Sequence, residues 1–149
     1  MGFGATRETR TAGGDHPDMN TSLITLHGHC HCQAVRFECD TPQVVSVLEC
    51  NCSICSLTGY LHLIVPKARF RLLQGQASLT EYRFNTQQAQ HWFCKVCGIK
   101  TFYVPRSHPD CVSVHLNAVD ASRLTVTRVP FDGRQWEAAK ARLSGSVGE

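Results

Sequence analysis

The 149-residue sequence contains no long apolar run and no cluster of charges of one sign. A helix needs roughly 20 apolar residues to cross a bilayer, and no stretch of the sequence approaches that length. Residues 1–20 also lack the apolar core of a signal peptide. Basic residues are scattered and give a net charge of only +3, so no basic stripe indicates a nucleic-acid partner. We therefore expect a soluble, cytoplasmic protein that binds neither membranes nor nucleic acids.

Two common catalytic signatures are missing as well. No serine or cysteine stands in a recognisable hydrolase motif, and no glycine-rich phosphate loop is present. Cysteine, in contrast, is abundant. Because nothing in the sequence indicates secretion, we expect the thiols to stay reduced and available for metal binding or catalysis. The nine positions are Cys30, Cys32, Cys39, Cys50, Cys52, Cys55, Cys94, Cys97 and Cys111.

Short alternating or β-branched runs, separated by turn residues, predict a mainly β protein. In residues 34–39, for example, Val35, Phe37 and Cys39 share one face while charged residues occupy the other, as in a strand with one buried face. The predicted strands are 23–27, 34–39, 44–50, 61–65, 79–84, 90–93, 99–104, 111–116 and 124–129.

Length and composition indicate one domain rather than two. The only good helical stretch is residues 134–143, which predicts one short C-terminal helix. Both ends of the chain lack hydrophobic periodicity. We expect a flexible N-terminal segment over residues 1–21, a single zinc-binding β domain over 22–143, and a flexible tail over 144–149.

Four of the cysteines form two pairs that are distant in the sequence. Cys30 and Cys32 lie between the strands predicted at 23–27 and 34–39, and Cys94 and Cys97 lie between those at 90–93 and 99–104. Each pair thus caps a predicted hairpin. Zinc takes four such ligands in a tetrahedron, so the two caps predict one structural zinc site. The alternatives are buried thiols that pack as small hydrophobes, or a redox disulfide between the second pair.

Three further cysteines, Cys50, Cys52 and Cys55, stand together in the sequence LECNCSIC. Three thiolates are one ligand fewer than a closed structural site needs, whereas catalytic zinc keeps a position open for water or substrate. The alternative is a second structural zinc completed by a ligand from elsewhere in the chain. Candidates for that fourth ligand are His62, Cys39 and Cys111. The remaining histidines, taken singly, are interpreted as surface or satisfied core residues.

The motifs GHCHCQAVRFE, CNCSIC and FCKVCGIKTFY, followed by FDGRQWE, resemble a known family in order and spacing. The chain is similar, from about Leu26 to Glu137, to the glutathione-dependent formaldehyde-activating enzymes and to the centromere protein V proteins that share their domain. One departure is Gln33, which stands where the family usually has glycine after the second cysteine.

The resemblance implies a mainly β, zinc-stapled fold of the Mss4-like kind with two zinc ions. It implies that Cys30, Cys32, Cys94 and Cys97 hold a structural zinc, and that Cys50, Cys52 and Cys55 hold a second, catalytic one. It also implies a reaction, the combination of formaldehyde with glutathione to give S-hydroxymethylglutathione, which is formally a carbon-sulfur lyase step run in reverse. Zinc suits that chemistry because it lowers thiol pKa values and polarises carbonyl groups.

A second function remains open, because fold resemblance does not settle function. The chain would then be a non-catalytic, zinc-stapled binding module of the centromere protein V type. For the enzyme, a substrate carboxylate could be held by one of the basic residues that follow the strand at 61–65, although these also fit as ordinary surface charges. The residues in question are Lys67, Arg69 and Arg71.

Overall fold

The computed structural model describes residues 22–141, which form ten β-strands and two short α-helices besides single 3-10 turns. The mainly β fold with a short C-terminal helix agrees with the sequence-based prediction. The flexible segments expected at 1–21 and 144–149 lie outside the described residues. The strands are β1 Ile24–His29, β2 Arg36–Thr41, β3 Val44–Cys50, β4 Leu61–Pro66, β5 Phe70–Gln74, β6 Leu79–Tyr82, β7 Gln90–Cys94, β8 Phe102–Val104, β9 Cys111–His115 and β10 Thr125–Phe131. The helices are α1 Ser53–Thr58 and α2 Trp136–Ala141.

The strands form two sheets. The smaller sheet has the antiparallel order β1-β2-β5, and the larger one has the order β10-β3-β4-β9-β8-β7-β6. Within the larger sheet only β10 and β3 are parallel, and their register places Phe131 opposite Cys50. The chain that leaves β10 therefore runs directly beside the cysteine at the end of β3.

A shared hydrophobic core joins the two sheets. At its centre the fully buried ring of Phe37 from β2 stacks on Phe70 of β5 at 5.4 Å and meets Phe102 of β8 edge-on at 5.6 Å. Such contacts add to the hydrophobic gain from burial. The ring of Phe37 also lies against Gly28, where an added Cβ would be 2.2 Å from it. Only glycine therefore fits at this position of β1.

The turn between β1 and β2 carries the first cysteine pair. The N–H of Gln33 donates to the carbonyl of Cys30 at 3.1 Å, and Gln33 has a φ of 65°. This left-handed backbone conformation is the one that glycine adopts without steric conflict. Gln33 therefore makes this turn in a backbone conformation that is unfavourable for a residue with a side chain.

Candidate metal centres and active site

The structure brings Cys30, Cys32, Cys94 and Cys97 together in one group whose sulfurs all lie within 4.8 Å of one another. The sulfur of Cys32 is 3.7 Å from that of Cys30 and 3.7 Å from that of Cys94. Four thiolates at about 2.3 Å from a tetrahedral zinc ion lie about 3.8 Å apart. The four-cysteine group therefore fits zinc in both ligand type and spacing.

Backbone N–H groups surround these sulfurs. Val35 donates to the sulfur of Cys30 at 3.4 Å, and Val96 donates to the sulfur of Cys94 at 3.3 Å. Such hydrogen bonds stabilise thiolates, which is the form that binds metal. The group also joins the β1-β2 hairpin of the small sheet to the β7-β8 hairpin of the large sheet, so an ion held here would tie the two sheets together.

The second group consists of Cys50, Cys52 and Cys55, whose sulfurs also lie within 4.8 Å of one another. Cys50 ends β3, Cys52 is the N-cap residue of α1, and Cys55 lies on the buried side of α1. The helix α1 was missed in the sequence because six residues give too short a pattern to reveal helical periodicity. Its one sequence signal is Gly59, which ends the helix with a φ of 62°.

The three sulfurs of this group interact strongly. Hydrogen bonds from the thiols of Cys50 and Cys55, together with backbone N–H groups, lower the pKa of Cys52. Hydrogen bonding to Cys50 and Cys52, followed by burial and the neighbouring charges, raises the pKa of Cys55. Three thiolates repel one another at this distance unless a cation lies between them. The group is therefore suited to a bound metal cation.

A glycine packs directly against this second group. A Cβ added to Gly133, in the segment that follows β10, would lie 2.6 Å from the sulfur of Cys50 and 2.6 Å from the Cβ of Cys52. The side chain of Asn51 also reaches this segment and donates to Asp132 at 3.1 Å. The motif FDGRQWE thus contributes a close-packed wall to the cysteine group.

Of the three fourth-ligand candidates, His62 contacts the cysteine group, whereas Cys39 and Cys111 lie outside it. Within residues 22–141, the group of mutually close ligand atoms contains Cys50, Cys52 and Cys55 and no further donor. Cys39 is buried in the core between the sheets, and Cys111 begins β9. His62 does contact the group, since its Nε2 is 3.2 Å from the sulfur of Cys55. His62 is therefore placed to orient the side chain of Cys55.

The second cysteine group lines a cavity of about 260 Å³. The rest of the lining includes apolar and aromatic side chains and two arginines, Arg106 and Arg134. The four-cysteine group is not part of the lining. The two cysteine groups therefore differ in their surroundings. The four-cysteine group joins the two sheets, whereas the group of Cys50, Cys52 and Cys55 faces a space that a small molecule can enter. Sequence spacing alone could not establish this difference. The aromatic and apolar wall residues are Phe84, Ala89, Tyr103, Phe131 and Trp136.

Behind the cysteines lies an array of buried polar side chains. His62 Nδ1 is 3.0 Å from the hydroxyl of Ser113 and 3.3 Å from that of Tyr103. Burial, with the nearby charge of Lys100, lowers the pKa of His62 to about 3, so the ring is neutral at pH 7. Tyr60 donates to the carbonyl of Ser113 at 2.6 Å. The cysteine group thus rests on a network of buried hydrogen bonds.

Lys100 and His91 extend this array to the cavity wall. Lys100 Nζ is 2.7 Å from His91 Nδ1 and lies over the rings of Tyr60 and Tyr103. Burial lowers the pKa of Lys100 to about 8 against the opposing effect of the Cys55 and Cys52 thiolates. Sequence reasoning missed both residues, because a single lysine and a single histidine in separate strands form no motif.

The basic residues considered for a substrate carboxylate lie elsewhere. Arg71 binds Glu38 at 2.6 Å and Asp40 at 2.9 Å on the small sheet. Lys67 and Arg69 belong to the 3-10 turn before β5, and neither lines the cavity. The structure instead brings Arg106 to the cavity, with its guanidinium 3.4 Å from the centroid of the Trp136 ring.

No helix among residues 22–141 is both long and apolar enough to span a membrane.

Comparisons with known proteins relate the chain to one family. The model of the glutathione-dependent formaldehyde-activating enzyme family matches residues 25–131. A provisionally named glutathione-dependent formaldehyde-activating enzyme of Halomonas elongata is 28% identical over 106 residues, which cover 66% of this chain and 68% of that protein. A crystal structure of a Rhodobacter sphaeroides protein is 34% identical with a TM-score of 0.58, and the match covers 62% of this chain and 85% of that one. Since the family model covers both cysteine groups and most of the two sheets, the chain belongs to the glutathione-dependent formaldehyde-activating enzyme family.

Proposed function

We propose that the protein is a zinc-dependent carbon-sulfur lyase that combines formaldehyde with glutathione to form S-hydroxymethylglutathione. The observation that carries the proposal is the position of Cys50, Cys52 and Cys55 on the wall of a cavity. A metal site that faces a cavity is suited to meet substrate, whereas a site enclosed between sheets serves stability. The family membership supports the same reaction.

Two zinc ions with different roles are part of this proposal. The four cysteines Cys30, Cys32, Cys94 and Cys97 would hold the structural ion. Cys50, Cys52 and Cys55 would hold the catalytic ion, which would supply positive charge that lowers the pKa of a thiol and polarises a carbonyl group. The chain would hold formaldehyde and the glutathione thiol close together, and this proximity is a large part of catalysis in an addition reaction.

The cavity also offers groups for the remainder of glutathione, which carries two carboxylates. Arg106 donates to Glu137 at 2.7 Å, and the Glu137 side chain is 82% exposed. An exposed partner is exchanged at little cost, since exposed ion pairs contribute about 0–1 kcal/mol. A substrate carboxylate that enters the cavity can therefore replace Glu137 on Arg106. Arg134 provides a second cation on the same lining.

The test is the exchange rate between formaldehyde hydrate and its glutathione adduct, measured by ¹³C exchange spectroscopy with and without zinc-loaded protein. We expect wild-type protein to accelerate the exchange and Cys52→Ser to lose the acceleration, because one of three ligands is gone. Cys111→Ser is the matched control, since Cys111 belongs to neither cysteine group. If wild type gives only the rate seen without protein, the lyase proposal is wrong, and a binding module becomes the better account.

A further inference from the structure

Lys100 is an unusual residue for the interior of a protein. Lys100 is only 8% exposed. Among residues 22–141, no carboxylate forms an ion pair with it. Its Nζ instead lies 4.0 Å from the ring centroid of Tyr103 and 4.8 Å from that of Tyr60, and it contacts His91 Nδ1 at 2.7 Å. Burial of a lysine is unfavourable unless specific contacts compensate. Among the described residues, the contact with His91 is the one hydrogen bond that this ammonium group makes to a side chain.

This contact determines where His91 carries its proton. An ammonium group has three donors and no acceptor, so Nδ1 of His91 must accept. Burial, followed by the charge of Lys100, lowers the pKa of His91 to about 4, so the ring is neutral at pH 7. A neutral imidazole that accepts at Nδ1 carries its single proton on Nε2. His91 is therefore a hydrogen-bond donor at the far side of its ring from Lys100.

The ring of His91 is also held in place. It stacks on Tyr103 with the ring centroids 4.8 Å apart and an angle of 10° between planes, and on Phe84 at 5.3 Å and 26°. His91 lines the same cavity as Cys50, Cys52 and Cys55. No hydrogen bond to its Nε2 occurs within the described part of the chain. The ring that carries this unpaired donor thus lines the space where thiol and aldehyde would meet.

The addition of a thiol to an aldehyde has a need that such a donor meets. The sulfur electron pair forms the new S–C bond, the C=O π pair moves to the oxygen, and the proton of the thiol finally resides on that oxygen. Negative charge therefore develops on the oxygen before the proton arrives. A preorganised donor aimed at this oxygen stabilises the charge more strongly than reorganising water does.

We propose that His91 donates its Nε2 proton in a hydrogen bond to the aldehyde oxygen, and that Lys100 is a positioning residue that fixes the required tautomer. The proposal rests on the proposed lyase function. His91 keeps its proton through the step, so the net reaction transfers only the thiol proton to oxygen. In the reverse reaction, the same hydrogen bond from His91 stabilises the oxygen while the S–C bond breaks.

The first test is spectroscopic and independent of activity. The ¹⁵N shifts of the His91 ring, measured on zinc-loaded protein, report which nitrogen carries the proton. We expect the Nε2–H form in wild type, a mixture of tautomers in Lys100→Met, and the Nε2–H form again in Lys100→Arg, because arginine also only donates. Lys67→Met is the control, since Lys67 is exposed and outside the cavity. An Nδ1–H form in wild type overturns the proposal.

The second test compares rates of adduct exchange. His91→Phe keeps the stacked ring and removes the donor, and we expect a loss of the accelerated rate of about 100-fold, as for other single oxyanion donors. Lys100→Met should reduce the maximal rate about tenfold without changing the glutathione concentration that gives half of the maximal rate. Lys100→Arg should restore most of the wild-type maximal rate. Zinc content is expected to equal wild type in all variants. An active His91→Phe variant overturns the inference and leaves the lyase function standing, whereas an inactive wild type overturns both.

Discussion

Gly133 offers a sharp way to perturb the second cysteine group without removing a ligand. In the Gly133→Ala variant the new methyl group would stand 2.6 Å from the sulfur of Cys50 and 2.6 Å from the Cβ of Cys52. It would also stand 3.0 Å from the backbone nitrogen of Cys52. Ordinary carbon contacts are about 3.5–4.0 Å, so either the segment after β10 or the cysteines must move by about 1 Å.

The size of the effect follows from this displacement. Extra methyl groups in packed interiors cost about 1–3 kcal/mol. If zinc binding requires the undisturbed positions of Cys50 and Cys52, that cost appears in the affinity for the second ion. A factor of ten in affinity corresponds to about 1.4 kcal/mol, so we expect the affinity to fall by roughly 5- to 150-fold. The four-cysteine group lies elsewhere and should keep its ion.

The assay is a competition titration of zinc-loaded protein with a chromophoric chelator, which resolves a tight and a weaker ion. Gly59→Ala serves as the control variant. A Cβ at Gly59 has no atom within 4 Å, and the substitution is disfavoured only by the φ of 62°, at about 1–2 kcal/mol of folding stability. Equal affinity for the second ion in wild type and Gly133→Ala would refute the account of Gly133 as a wall of the metal site.

Three further expectations follow from individual contacts. Arg106→Gln should raise the glutathione concentration for half-maximal exchange about tenfold with little change in the maximal rate, because a hydrogen bond to a charged group is worth about 1.5–3 kcal/mol. An unchanged half-maximal concentration would show that Arg106 does not bind the substrate. Gln33→Gly should stabilise the zinc-loaded protein in urea by up to about 1 kcal/mol, because Gln33 has a φ of 65°; a loss of stability would contradict this. The hydrogen bond from Arg71 lowers the pKa of Asp40 below 3.8, so its stabilisation is present above that pH and is lost as pH falls through the folded-state pKa. Wild type should therefore be more stable than Asp40→Asn near neutral pH, with the difference shrinking in acid, and a constant difference would argue against the pair.

Much of the fold could be predicted from the sequence, because alternation of apolar residues directly reports a buried strand face. The strand predicted at 44–50 coincides with β3. The pairs Cys30/Cys32 and Cys94/Cys97 do lie at the ends of antiparallel hairpins, with Cys94 as the last residue of β7. The strand β5 was missed. Its residues Phe70–Gln74 include two basic or amide side chains on a half-exposed edge, which hides the alternation.

The candidate site was predictable only in part. Spacing grouped Cys50, Cys52 and Cys55, because close neighbours in sequence must be close in space. Spacing could not reveal that Gly133 packs against them, since that contact depends on the parallel pairing of β10 with β3. The contact between Lys100 and His91 likewise depends on how residues nine positions apart meet across a turn. Contacts that depend on tertiary pairing leave no local pattern in a single sequence.

The central claim is that Cys50, Cys52 and Cys55 form a metal centre separate from the four-cysteine group. Native mass spectrometry of wild type and Cys52→Ser, with and without glutathione, tests it most directly. We expect two zinc ions per wild-type chain and one in the folded variant, with a glutathione adduct seen only when the second ion is present. If the variant keeps the wild-type zinc content, the claim is wrong.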